Sequence, residues 1–148
     1  MTENMNPAAQ AAQAQEAANE APQSTIISNQ EITPEITASV LEKANAIRQE
    51  KGIKRIYPIV IVGDEFDEKP LYVGYFKRPD FPTFSIFMNK VNQDSVQASR
   101  MLAQNCFVDG DRELLNDDDL FLYGLMNQLT VLIDNRHAEL VKKSSVGV

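Results

Sequence analysis

The chain has 148 residues, the size of one ordinary domain or of a small domain with a tail. Its formal net charge of -7 and pI near 4.7 repel phosphate backbones and anionic membrane surfaces, so the expected partners include no nucleic acid and no membrane. With Cys106 as its one cysteine it cannot form an intramolecular disulfide, which points to a reducing cytosol.

No basic-then-apolar leader opens the sequence. The longest apolar runs, Ile56 to Val62 and Leu120 to Met126, are too short to span a bilayer, so a soluble cytoplasmic protein is expected.

Residues 1–30 are Ala, Gln, Glu, Asn and Pro, with almost no large aliphatic side chain before Ile26. Such a segment has nothing to bury. It reads as a disordered Ala/Gln-rich arm, or as one that orders only on a partner. A single α+β domain is predicted over residues 31–143. Thr33-Pro34-Glu35 supplies a capping hydroxyl, a first-turn proline and an acid, and Ile36, Val40, Ala44 and Ile47 follow at helical spacing. This predicts a helix over 34–51, stopped by Gly52 in the left-handed conformation.

A β-hairpin is predicted over 55–77. Ile56 to Val62 is β-branched, with Pro58 marking an edge; Gly63 to Pro70 is an acidic turn; Leu71 to Lys77 forms the return strand. Gly74 within that strand suggests a bulge or a close packing partner. Arg78-Pro79 ends the hairpin.

Helices are then predicted over 81–92, 95–107 and 117–142. Asp80 or Thr83 caps the first, and Asp94 or Ser95 the second, with Val96, Leu102, Ala103 and Cys106 turned inward. Asp117 to Asp119 starts the third, and Leu122, Leu125, Leu129, Leu132 and Ile133 form its apolar stripe. Asp109-Gly110-Asp111 reads as a turn, and 144–148 as a frayed tail. The fold class expected is therefore a mainly helical α+β domain carrying one antiparallel β-hairpin.

No catalytic, cofactor-binding or metal-binding constellation is visible, and the chain reads as a non-enzyme. Asp117 to Asp119 are explained by capping, since consecutive side chains at a helix start diverge. Cys106 lies on an apolar face with no histidine near it, and His137 sits on a charged stretch. The concentration of aromatic residues around the hairpin exit offers a partner-binding surface, with Tyr75, Arg78, Phe81, Phe84, Phe87 and Met88 as its candidates. The alternative is that this stripe is plain core.

The order Tyr72-Val73-Gly74-Tyr75-Phe76-Lys77-Arg78-Pro79, a short helix, Ala103-Gln104-Asn105-Cys106 with Gly110-Asp111 after it, then Asp118 to Phe121 and Ala138-Glu139-Leu140, resembles small proteins of tailed bacteriophages and prophages. Within those it is similar to the tail assembly chaperones over roughly Ile53 to Lys143. The resemblance implies a non-catalytic protein of the host cytoplasm that shields the tape measure protein during tail assembly, with no family active site to carry over. Some such proteins are extended by ribosomal frameshifting, for which Lys142-Lys143 would be the place. The competing expectation is a structural or packaged virion component whose arm orders against neighbouring subunits. Self-association and a regulatory module that binds a host protein are left open.

Overall fold

The computed structural model describes residues 31–143. The predicted arm over 1–30 and the predicted tail over 144–148 lie outside the described residues.

Helix α1 runs Pro34–Lys51. The Thr33 side chain accepts from the Ile36 N–H at 3.2 Å, and Gly52, at φ 67°, closes the other end with its N–H on the Arg48 carbonyl. Both predicted ends are therefore observed, the first a cap whose loss costs about 1 kcal/mol.

Strands β1 (Tyr57–Val62) and β2 (Leu71–Phe76) form the predicted antiparallel hairpin, paired from Tyr57 with Phe76 to Val62 with Leu71. Gly63 donates to the Pro70 carbonyl at 2.8 Å. The odd-numbered residues of β1 therefore direct their backbone groups at β2, and Pro58 directs its missing N–H at the free edge. That is where a strand tolerates proline.

Helix α2 (Phe81–Lys90) is capped by Asp80 and α3 (Ser95–Cys106) by Asp94. Strand β3 (Phe107–Gly110) follows α3 without a loop and pairs with β2, giving a three-stranded antiparallel sheet of order β1-β2-β3. This corrects two expectations: the sheet is more than a hairpin, and Asp109-Gly110-Asp111 is strand and strand extension, not a turn. Asp111 completes the pairing. Its N–H donates to the Val73 carbonyl and its carboxylate accepts from the Val73 N–H, both at 2.8 Å.

The expected helix over 117–142 is also corrected. The chain makes α4 (Glu113–Asn116), α5 (Asp118–Tyr123) capped by Asp117, and an eight-residue 3-10 helix (Leu125–Leu132). From Asp134 to Lys143 it is not helical, so Lys142 and Lys143 do not sit at a helix end. Leu125, Leu129 and Leu132 are buried as their spacing predicts, but spacings of three and four are met by the tighter winding as well. Beyond Ile133 no large apolar side chain follows until Leu140, and Ala138 is exposed, so packing has little to extend a helix with.

The sheet is covered on both faces. Ile59, Tyr72 and Phe76 point into the main core with Leu102, Phe121 and Leu132 of the helical layer. Tyr75, with Val73 and Val108, packs on Ala44 and Ile47 of α1. A bulge in β3 beside the Tyr75–Phe76 step puts Phe107 on the main core and Val108 on the α1 side. Gly74 has the close neighbours its position suggested: a Cβ there would lie 2.6 Å from the Phe76 ring and 3.1 Å from Leu114.

Candidate interaction surface on the second helix

Among the described residues, helix α2 is the element that carries two exposed aromatic side chains, Phe81 and Phe84. The Asp80 carboxylate accepts from the Thr83 N–H at 2.9 Å, which holds its pKa below the ordinary value and fixes the helix start beside Pro82. Only Phe87 of this helix is buried. Phe81, Phe84 and Met88 recur at i, i+3 and i+7, a single stripe, and are 82%, 38% and 50% exposed. Ile86, also exposed, projects about half a turn away from that stripe.

The six predicted residues therefore separate. Phe81, Phe84 and Met88 come together on the surface. Phe87 turns into the main core. Tyr75 lies on the other face of the sheet, buried under α1, with Lys43 Nζ 5.6 Å from its ring centroid. Burial first, then the charges of Asp109 and Asp111, raise the pKa of its hydroxyl.

Arg78 is engaged within the fold. Its Nε donates to the Tyr57 hydroxyl at 3.0 Å, and Nη1 donates to the carbonyls of Asp134 at 3.0 Å and Leu132 at 3.4 Å. The guanidinium also lies over the Tyr57 ring. It fastens the end of the 3-10 helix to the start of the sheet.

Other candidate chemistry resolves into packing. Cys106 is fully buried, and desolvation pushes its thiol from an ordinary 9.0 up to about 12, so at neutral pH it carries no thiolate. Arg100 lies over the Phe121 ring and pairs with Asp118 at 2.9 Å, at the mouth of a shallow cleft of about 240 Å³ lined also by Val96 and Leu122. Val96, expected inward, is partly exposed there, and Ala98 takes the buried position. His137 is exposed, 3.1 Å from Glu139. Among the described residues no group of three His, Cys, Asp or Glu side chains is placed to hold a metal ion, and no helix is long and apolar enough to cross a membrane.

Comparison with protein-family models, curated proteins and solved structures finds no match. The surface must be read from its own geometry. Two exposed aromatics escaped the sequence reading, Phe66 at 85% and Tyr123 at 78%. Neither belongs to a periodic stripe, and periodicity was the signal that found the α2 surface.

Proposed function

We propose that this chain is a non-catalytic assembly protein that covers an apolar helical segment of another protein with the α2 stripe. In the setting its resemblance implies, that segment belongs to the tape measure protein of a tailed phage, shielded in the host cytoplasm until tail tube subunits replace the chaperone. The observation that carries the reading is the stripe itself. Phe81, Phe84 and Met88 stand on one side of a capped helix whose core contact is already supplied by Phe87. Apolar side chains at this spacing match the ridges of a second amphipathic helix. A flexible methionine beside two rigid rings suits a partner surface of varying shape.

Phe81→Asp tests it. Phe81 supports little of the fold, so helical circular dichroism and melting temperature should stay within the ordinary surface-mutant range of about 0.5 kcal/mol. Co-expressed tape measure protein should lose its solubility and its co-purification with the variant. Retained co-purification would remove α2 from the interface. Quantitative mass spectrometry of particles then separates the two assembly roles: the chaperone is absent from mature virions, whereas a virion component is present at fixed copy number.

A further inference from the structure

The sheet has a second apolar surface at the opposite end from α2, and its surroundings specify the charge of its partner. Phe66, at the tip of the β1–β2 loop, is the more exposed of the two aromatics missed above. Val62, where β1 enters that loop, is 39% exposed. Gly124 lies against Ile61, the neighbour of Val62, which brings the exposed Tyr123 to the same end of the sheet.

The loop is built to hold Phe66 in place. Asp64 Oδ1 accepts from the Phe66 N–H at 2.9 Å, and Asp67 Oδ2 accepts from the Asp64 N–H at 2.8 Å. Gly63 closes the loop where a Cβ would lie 2.1 Å from the Lys69 carbonyl oxygen. An aromatic side chain held in water by a fixed loop gives the fold no burial, and is ready to bind without a large ordering cost.

The loop itself carries Asp64, Glu65, Asp67 and Glu68 against Lys69 as its single base. Lys69 is already paired with Asp111 and Glu113 at 3.0 Å. Asp64, Asp67 and Asp111 accept backbone N–H groups, whereas Glu65 and Glu68 enter none of the ion pairs. Carboxylates committed in this way do not converge on a cation. They surround an apolar anchor with negative potential.

We infer that the Phe66 end of the sheet is a docking surface for a basic, apolar protein segment, one that sets Lys or Arg side chains around a pocket for the Phe66 ring. A second copy of this chain would bring the same carboxylates and be repelled. With α2 at one end and Phe66 at the other, separated by strands about 20 Å long, the chain can join two partners without their competing.

The test is a titration of the full ¹⁵N-labelled chain, followed by amide shifts, with three short peptides: Lys/Leu, Glu/Leu and Lys/Ser. The Lys/Leu peptide should shift the amides of Val62 to Leu71 and of Tyr123, and raising salt from about 0.01 to about 0.15 M should weaken it. Phe66→Ala should lower the affinity about tenfold or more, as expected of an interface anchor, with shifts elsewhere in the spectrum unchanged. The double variant Glu65→Lys, Glu68→Lys should abolish binding while the ring remains. Any of three results overturns the inference: no binding, shifts centred on α2, or equal binding by Phe66→Ala or by the Lys/Ser peptide. Peptide-independent, concentration-dependent shifts at this end would assign it to self-association and overturn it as well.

Discussion

Cys106 shows how far a single environment can suppress a reactive group. The thiol has zero exposure, and its pKa stands near 12 against an ordinary 9.0. In the native protein at pH 8 it should resist alkylation and react at the free-thiol rate only on unfolding, which a pulse of iodoacetamide read by intact mass would register. Linkage fixes the sign of the pH effect. Between about 9 and about 12 the unfolded chain releases a proton that the folded chain keeps, so stability falls as pH rises. The slope from this group approaches about 1.4 kcal/mol per pH unit. The raised pKa of the Tyr75 hydroxyl acts in the same direction. Urea melts from pH 8 upward check it: a flat midpoint would mean that the thiol is accessible in the folded state.

At the scale of elements, legibility followed locality. Helix α1 could be read because each of its ends is written locally, the start at Thr33 and Pro34 and the stop at Gly52. The β1–β2 hairpin could be read because its partners are neighbours in sequence. Strand β3 could not, since its four residues have no periodicity of their own and their partner, β2, lies some thirty residues earlier. Gly110 is the position that makes this pairing work. At φ 118° it adopts a backbone that other residues rarely reach, and a Cβ would lie 2.3 Å from the Val73 carbonyl oxygen. Gly110→Ala should therefore cost about 1–3 kcal/mol. Hydrogen exchange should show the loss first at Val73 and Asp111, whose backbone bonds continue from it; unchanged exchange there would separate the glycine from the strand. The α2 stripe was legible as a pattern but not as a surface. Spacing places Phe81, Phe84, Phe87 and Met88 together, and only the packing of α2 on α3 and into the main core decides that Phe87 is core and the other three are not.

Across the whole molecule, Arg78 joins parts that the sequence keeps more than fifty residues apart. Its place at the hairpin exit, among the aromatic residues there, makes it a candidate partner-binding residue in the sequence. Its neighbours within the fold, Tyr57 and the carbonyls of Leu132 and Asp134, come from distant segments that no local pattern connects to it. Arg78→Ala removes charge-assisted bonds to groups that are partly shielded from water and should destabilise by about 1–3 kcal/mol. It should also free the segment after Leu132, so that trypsin cuts sooner at Arg136, visible by mass spectrometry of a timed digest. Arg78→Lys should recover little, because an ammonium cannot span the two carbonyls and the hydroxyl with one planar group. An unaltered digest in Arg78→Ala would show that the segment is held by its own packing instead.

Strand β2 has β1 on one side, β3 on the other, α1 over one face and the helical layer over the other. An element enclosed on four sides has no weak neighbour through which it can be released alone. Detaching α1 wets Tyr75, and lifting the helical layer wets Phe76, the next residue along the same backbone. Tyr75 and Phe76 thus couple the two hydrophobic clusters through one peptide bond, and a single unfolding transition for both is the expected outcome of a denaturant melt.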